Sequence, residues 1–346
     1  MVNIDKKRDK TLDVAKGIAI ICVVLGHAFQ YSFGYKYVLS ELFFLDRFFQ
    51  SIYSFHMPFF MLISGYLFFY SNKKNFKALL LSKLKGIGIP MITFILLDNS
   101  LSYLKYVAQG DIIIFFTSLI MEIFHGWTMW FLFSLLLNMA IVLTITRMSQ
   151  NFCIRYILML MIFVCSMFIS DSFVLSVHKF MFPFFCIGYV VKETNINIYR
   201  FSSNYKLMSI MTLFLVASIL WFDKDTFIYT SGFCINGNIT AQLFINCKRM
   251  LIALIVSITL IQYVHLISEK YDLCTLENLG KISLFIYGMN IFIDIMYTKI
   301  CAYMGWAIEY NYVAPLVFAM CVIGMSHLLY PLVYKFPITR LLFLGR

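Results

Sequence analysis

The sequence predicts an all-α polytopic integral membrane protein, and three observations lead to this fold class. First, 61% of the 346 residues are hydrophobic and only 13% are charged, whereas a soluble domain is about half apolar and about a quarter charged. Second, the apolar residues are gathered into stretches of about 20, the length of a membrane-spanning helix. Third, the basic residues behind the net charge of +11 cluster in alternate loops. A chain with so little charge cannot cover itself with a polar surface and must be solvated by lipid.

Ten stretches are long and apolar enough to cross the bilayer, and we predict a single domain of about ten transmembrane helices over residues 1–346. The run 112–124 is too short to span and is predicted to be interfacial or re-entrant. The nine cysteines show no Cys-x-x-Cys spacing and predict neither a disulfide framework nor a metal site. The predicted spans cover residues 12–33, 48–70, 86–106, 127–146, 154–170, 174–191, 207–222, 250–267, 282–302 and 312–334.

Basic residues are distributed unevenly between the two sets of loops. Because the cytoplasmic loops of membrane proteins collect Lys and Arg, we expect both termini to be cytoplasmic and the protein to be a multi-pass component of a bacterial inner membrane. This use of the positive charge argues against a nucleic-acid partner. The two segments richest in basic residues hold Lys6, Lys7, Arg8 and Lys10, and Lys73, Lys74, Lys77, Lys83 and Lys85.

The first span carries two ionisable residues on one face. Lys16 and His27 are 11 residues apart, which is about three helical turns and about 16 Å along the axis. Polar groups in hydrocarbon are costly and therefore mark functional sites. The alternative for Lys16 is an interfacial anchor whose ammonium reaches the headgroups. The alternative for His27 is a hydrogen bond between helices.

The second span places His56 at a depth comparable to that of His27. Pro58 removes a backbone donor close to His56, so we predict a kink there. Asp98 and Asp294 fall in the outer halves of their spans, where either carboxylate can orient a histidine. His178 is interpreted as a structural histidine that hydrogen-bonds between helices.

Four segments of the chain resemble motifs of the acyltransferase family 3 membrane proteins. Their wording is similar in particular to the branch of that family that contains fucose 4-O-acetylases and surface-polysaccharide O-acetyltransferases. The likeness extends over the whole length. The segments are Leu-Asp-Val-Ala-Lys-Gly and Leu-Gly-His within residues 12–27, Ser-Phe-His-Met-Pro-Phe-Phe and Ile-Ser-Gly-Tyr-Leu within 54–67, Gly-Trp-Thr-Met-Trp-Phe-Leu at 126–132 and Leu-Gly-Lys-Ile-Ser-Leu-Phe-Ile-Tyr at 279–287.

The sequence departs from the family pattern at three places. Lys16 stands where the family often has Arg, which keeps the charge but loses the bidentate geometry for phosphate. Lys83, Lys85 and Pro90 occupy a motif that is commonly rich in Arg before a proline. Asn290 stands where the late motif frequently has His. These differences bear on donor binding more than on the class of reaction.

The resemblance implies transfer of an acyl group, most often acetyl, from acyl-coenzyme A to a hydroxyl of a cell-surface sugar. We expect Lys83, Lys85 and Lys16 to contact the phosphates of acetyl-coenzyme A, with its long arm running along the first span. His27 is the expected general base and His56 the residue that orients the acceptor or polarises the carbonyl. An acyl-histidine intermediate remains the alternative to direct transfer.

The expected partners are acetyl-coenzyme A as co-substrate, a sugar or polysaccharide acceptor, either free or lipid-linked, and membrane lipid. The ring of Trp130 can supply a face for the sugar. The positions expected to support the histidines or bind the acceptor are Asp13, Trp130, Asp98, Asp294 and Asn290.

A second class of function fits the same composition, namely a carrier or exporter of lipid-linked sugars or acyl groups. Transporters often contain internal repeats with broken helices in corresponding halves. The second half of the sequence has no counterpart of His56-Met57-Pro58. The sequence therefore favours the transferase, while transfer of succinyl instead of acetyl stays open because the residues that select the donor are not apparent.

Overall fold

The computed structural model describes residues 9–35, 42–72, 75–126, 128–170, 173–235 and 238–346. Within these ranges the chain is helical and forms no strand beyond an isolated bridge between Gly34 and Ala307, which confirms the predicted all-α polytopic class. Several residues named above lie outside the described part of the chain: Lys6, Lys7, Arg8, Lys73, Lys74 and Trp127.

Eighteen α-helices follow one another along the described chain. They are α1 Lys10–Tyr31, α2 Leu42–Leu45, α3 Arg47–Tyr53, α4 His56–Ser71, α5 Phe76–Lys83, α6 Ile89–Asp98, α7 Ser100–Gln109, α8 Ile112–His125, α9 Trp130–Met148, α10 Phe152–Met167, α11 Phe173–Glu193, α12 Tyr205–Trp221, α13 Ile228–Ser231, α14 Ile239–Lys270, α15 Cys274–Lys281, α16 Ser283–Met304, α17 Val313–Lys335 and α18 Pro337–Leu344. A π-helical turn, Leu84–Gly88, joins α5 to α6, and a 3₁₀ turn, Lys224–Thr226, precedes α13.

Every predicted span coincides with helix. In the described residues, eight helical stretches are long and apolar enough to cross a membrane. Two predicted spans, 154–170 and 207–222, correspond to the shorter apolar helices α10 and α12, and the run 112–124 forms α8, which has no buried residue. The number of spans and the cytoplasmic side of the termini stay predictions.

The third span begins earlier than predicted. The helical stretch runs from Phe76 to Asp98 and breaks at Asn99, whereas the sequence predicted a span over 86–106. The error arises because Lys83 and Lys85 were interpreted as loop residues. Both lie within the helical stretch, where a long side chain can keep its ammonium in water while its methylene stem lies along apolar surface.

The helix α14 is 32 residues long and also begins earlier than the predicted span over 250–267. The polar residues before position 250 predicted a loop, but Lys248 and Arg249 are buried in the helix. Lys248 donates to Asp223 over 2.5 Å, and Arg249 donates to the carbonyl of Gly232 over 2.5 Å. The buried charges are thus compensated by the connecting segment that precedes α14.

Glycines of the recognised motifs allow two pairs of helices to pack at backbone contact. A Cβ atom at Gly65 of α4 would lie 2.0 Å from the carbonyl oxygen of Phe185 in α11, and one at Gly280 of α15 would lie 1.8 Å from that of Asp13 in α1. Small residues permit such close approach of helices in membranes. The Gly280 contact seats α15 on α1, which lies at the centre of the fold against α4, α14, α15, α16 and α17.

Candidate active site

The predicted face of α1 lines a cavity inside the bundle. Lys16, Ile20 and Val23 border a cavity of about 100 Å³, together with Met57 of α4 and residues of α9 and α16; we call it the middle cavity. His27 lies one turn beyond Val23, since residues four apart share a helix face. Lys16 and His27 therefore stand at the two ends of one lined face, as the spacing predicted.

Lys16 forms an ion pair within its own helix. Its Nζ lies 2.7 Å from Oδ1 of Asp13, one turn earlier in α1. Asp13 is buried with 3% of its surface exposed, and its backbone contacts Gly280 of α15. Asp13 therefore fixes the position of the Lys16 ammonium at the mouth of the middle cavity.

His27 faces a carboxylate on another helix. The His27 Nδ1 atom lies 3.7 Å from Oδ2 of Asp294 in α16, and 24% of the His27 side chain is accessible. Asn290, one turn before Asp294, donates from Nδ2 to the same Oδ2 over 3.0 Å. Asp294 rather than Asp98 is thus the carboxylate that can orient His27.

His56 is held by its own backbone at the start of α4. Its Nδ1 lies 2.8 Å from the carbonyl oxygen of Ile52. Because a carbonyl can only accept, Nδ1 carries the hydrogen, and Nε2 of the neutral ring is an acceptor. The predicted kink is observed as a break between α3 and α4 just before His56, with Pro58 in the first turn of α4, where a proline is tolerated.

Tyr53 lies between His56 and the part of α1 next to His27. Its ring meets the His56 ring edge-on with centroids 4.7 Å apart. On the other side it packs against Gly26, the neighbour of His27, where a Cβ atom would lie 2.7 Å from Tyr53 Cε2. The two histidines are close enough to interact electrostatically. The structure therefore brings together the pair that the sequence placed at one depth.

Two further cavities adjoin the middle cavity at opposite ends. The basic cavity, of about 410 Å³, is lined by Lys83, Lys281 and Arg346 among others, and Leu284 lines both it and the middle cavity. The aromatic chamber, of about 30 Å³, is lined by residues that include His56, Trp130, Tyr53, Tyr229, Phe227 and Arg249. Met57 lines both this chamber and the middle cavity. The three cavities thus form a row from a basic end to His56, while His27 lies one turn beyond Val23 of the middle cavity and lines none of the three.

The remaining predicted residues differ in how they relate to this row. Lys83 lines the basic cavity, and its Nζ donates to Ser71 Oγ over 3.3 Å. Lys85 is exposed on the π-helical turn and does not line the basic cavity. Trp130 lines the aromatic chamber, and its contact with a sugar ring stays a prediction. Asp98 is buried, and neither of its carboxylate oxygens accepts a hydrogen bond from the described residues; it lies within electrostatic range of Asp294.

Four residues of the site were not predicted from the sequence: Tyr53, Lys281, Arg346 and Arg249. Tyr53 carries no signal beyond its position three residues before His56. Lys281 was treated only as a loop charge, although it lies in the late motif. Arg249 was an exception to the charge distribution, as a basic residue on the side poor in Lys and Arg, and that exception was the available signal.

His178 provides a contrast with the two site histidines. Its Nδ1 forms a short hydrogen bond with Ser134 Oγ of α9, while its Nε2 is buried without a partner in the described residues. The bond joins α9 to α11, as predicted for a structural histidine. Among the described residues, no group of three or more His, Cys, Asp or Glu side chains could hold a metal ion.

The connecting segment between α12 and α14 closes the outer side of the aromatic chamber. Phe222, Thr226 and Phe227 of this segment line the chamber. Burial alone would raise the pKa of the Asp223 carboxyl, but hydrogen bonds from Lys248 and Thr226 outweigh it and lower the pKa below its usual value. The ionised Asp223 thus ties this segment to α14.

Comparison with known proteins agrees with this architecture. A family model described as "Acyltransferase domain" matches residues 9–333. Two curated proteins named nodulation protein NolL are each 28% identical to this chain. The match to the protein from Sinorhizobium fredii covers 65% of this chain and 60% of the relative. The match to the protein from Mesorhizobium japonicum covers 68% of this chain and 62% of the relative. The matched region thus spans less than two thirds of these relatives. No solved structure matches the chain. The chain belongs to this acyltransferase family and is an all-α, multi-pass membrane member of it.

Proposed function

We propose that the protein is a bacterial inner-membrane O-acyltransferase that moves an acyl group, preferably acetyl, from acyl-coenzyme A to a hydroxyl of a cell-surface or lipid-linked sugar. The observation that carries the proposal is the row of three adjoining cavities, which runs from basic side chains at one end to His56 at the other and follows the face of α1 that ends at His27.

The basic cavity suits the anionic part of coenzyme A. Lys83, Lys281 and Arg346 come from three different parts of the chain and line one cavity of about 410 Å³. Ammonium and guanidinium groups form strong, charge-assisted hydrogen bonds with phosphates. Lys281 is paired with Glu277 over 2.5 Å, which makes it a weaker candidate for phosphate contacts than Arg346. Lys85 then contributes only long-range attraction.

The middle cavity suits the arm that carries the thioester. Its lining is apolar apart from Lys16, Ser64, Ser283 and Tyr287, and it follows the α1 face toward His27. An acyl group delivered along this face would arrive beside both histidines. Lys16, held by Asp13, stands where the phosphates and the arm would meet.

His27 is the proposed general base. With Nδ1–H directed at Asp294, its Nε2 accepts the proton of the sugar hydroxyl while the hydroxyl oxygen attacks the thioester carbonyl carbon. The tetrahedral intermediate then collapses, the carbon–sulfur bond breaks, and the proton passes from His27 to the leaving thiolate. The products are the sugar ester and free coenzyme A. Asn290 supports this arrangement by its bond to Asp294.

The aromatic chamber is the proposed place of the sugar. Trp130, Tyr229 and Phe227 present rings around it, and aromatic rings pair a large apolar face with polar edges that a sugar can use. His56 Nε2, an acceptor in the neutral ring, would orient a sugar hydroxyl. Because a cavity of about 30 Å³ is close to the size of one water, the segment between α12 and α14 must move outward to admit a sugar.

The test is consumption of labelled acetyl-coenzyme A by the purified protein in detergent, with methyl α-L-fucopyranoside and other methyl glycosides as acceptor probes. We expect release of coenzyme A thiol and transfer of label to at least one glycoside. A carrier or exporter would leave the thioester intact, so an unchanged acetyl-coenzyme A pool with folded protein would contradict the proposal.

A further inference from the structure

The proposed transfer requires a hydrogen-bond donor that the two histidines do not provide. Attack on the thioester places negative charge on the carbonyl oxygen, and enzymes stabilise this oxyanion with preorganised donors. Nδ1–H of His56 is already bonded to Ile52, and Nδ1 of His27 faces Asp294. In its neutral form, the His56 ring therefore offers Nε2 only as an acceptor, and His27 does the same when its Nδ1 carries the hydrogen that faces Asp294.

Tyr53 carries a donor of the required kind. Gln30 of α1 donates from Nε2 to the Tyr53 hydroxyl oxygen over 3.1 Å, and within the described residues the Tyr53 hydroxyl donates to no protein atom. A phenol that accepts one hydrogen bond becomes a better donor, because hydrogen bonds in a chain polarise one another. Its own hydrogen is therefore available to a substrate.

The position of Tyr53 is fixed by packing from several sides. Its ring stacks on Phe49 with centroids 4.1 Å apart and meets His56 edge-on at 4.7 Å. Its edge contacts Gly26, which precedes His27. It also lines the aromatic chamber, which shares Met57 with the middle cavity. A donor fixed in this way needs little rearrangement during the reaction.

Arg249 is another strong donor in the chamber lining, and two nitrogens of its guanidinium already bind the connecting segment. Its guanidinium donates to the Gly232 carbonyl and to Ser231 Oγ, so it holds the segment between α12 and α14. Tyr53 lies instead between His56 and Gly26, the neighbour of His27.

We propose that the Tyr53 hydroxyl donates a hydrogen bond to the oxyanion formed on the acyl carbonyl, and that Gln30 positions this hydroxyl. This inference rests on the proposed function. No covalent bond to Tyr53 forms and its proton stays in place, while His27 moves the proton from the acceptor hydroxyl to the leaving thiolate.

The test compares full-length variants by thiol release from acetyl-coenzyme A, with methyl α-L-fucopyranoside as acceptor and with water alone. Tyr53→Phe keeps the ring and removes the hydroxyl, so kcat should fall about 10²- to 10³-fold with an unchanged KM for acetyl-coenzyme A. The matched control is Tyr263→Phe, which removes a half-buried hydroxyl bonded to Thr212 in another part of the bundle, and its kcat should remain that of the wild type.

A double-mutant cycle separates this role from simple packing. Gln30→Leu should lower kcat less than Tyr53→Phe does, and the double variant should be no slower than Tyr53→Phe, because both changes act on one hydroxyl. A wild-type kcat in Tyr53→Phe would overturn the inference. If Tyr53→Phe does not fold, a wild-type kcat in Gln30→Leu would overturn the proposed role of Tyr53 instead. Absence of thiol release by the wild type would instead contradict the proposed function itself.

Discussion

The two ends of the row of cavities are built from different side chains. The basic cavity is wide and lined by long cationic side chains, two of which are Lys83 and Arg346, whereas the aromatic chamber is narrow and lined by rings. Charge attracts a polyanion over a distance and tolerates small displacements. Enclosed rings exclude water, which strengthens each polar contact within the chamber. We infer that the basic end determines donor affinity and the aromatic end determines the rate of chemistry.

The largest expected effect lies at the aromatic end. His27→Gln removes the proposed general base, and kcat should fall about 10²- to 10⁴-fold, measured as thiol release from acetyl-coenzyme A. The control is His178→Gln, which keeps a side chain able to bond Ser134. That variant should retain its kcat, although its unfolding free energy should decrease by about 1 kcal/mol. Equal losses in both variants would contradict the distinction between site and structural histidines.

Asp294→Asn tests the carboxylate behind His27. The amide keeps the volume but removes the negative charge that orients the ring and stabilises its cationic form during transfer. We expect kcat to fall about 10²-fold with little change in the KM for acetyl-coenzyme A. The same measurement on Asp98→Asn should give a smaller loss, because Asp98 is not in contact with His27. The reverse order would assign the orienting role to Asp98.

Substitutions at the basic end should act on donor affinity instead. Lys83→Gln and Arg346→Gln should each raise the KM for acetyl-coenzyme A about 10-fold and leave kcat within about twofold, the pattern of lost ground-state binding. Lys77→Gln, on the exposed side of α5, is the matched control and should change neither constant. Lys85→Gln should resemble this control more than it resembles Lys83→Gln. A loss of kcat in Lys83→Gln would contradict the inference that the basic end determines donor affinity and the aromatic end determines the rate of chemistry.

The smallest effect concerns the segment that closes the aromatic chamber. Because the folded protein lowers the pKa of Asp223, its stabilising contribution is complete above the unfolded pKa of about 3.9 and is lost as the pH falls below that value. The protection of the amides of residues 222–234, measured relative to the intrinsic exchange rate at each pH, should therefore decrease below about pH 4. Asp223→Asn should show faster exchange already at pH 7 and no such acid step. The effect should stay below about 1 kcal/mol, since Asp223 is largely exposed.

The sequence predicted those features that depend on a single helix. The spacing of Lys16 and His27 fixed their common face, because 11 residues of uninterrupted helix have a known rotation. The depth of His56 followed in the same way from its place in the second span. The hydrogen bond from His56 to Ile52 depends on the local break before α4, and a kink was predicted there.

Features that depend on contacts between distant helices could not be predicted. Asp98 and Asp294 were equivalent candidates until the packing of α16 on α1 brought Asp294 to His27. Lys83, Lys281 and Arg346 meet only because α18 folds back onto the π-helical turn, where Gly345 contacts the backbone of Lys85. The spacing of residues along one sequence contains no information about contacts between distant helices.

The account is tested most directly by the acetyl content of the surface polysaccharide in three strains, measured by NMR and mass spectrometry. The strains carry the wild-type gene, no gene, and the His27→Gln variant shown to be inserted in the membrane. We predict that one O-acetyl signal is present with the wild-type gene and is lost both without the gene and with the variant. An O-acetyl pattern that is the same in all three strains would contradict the account.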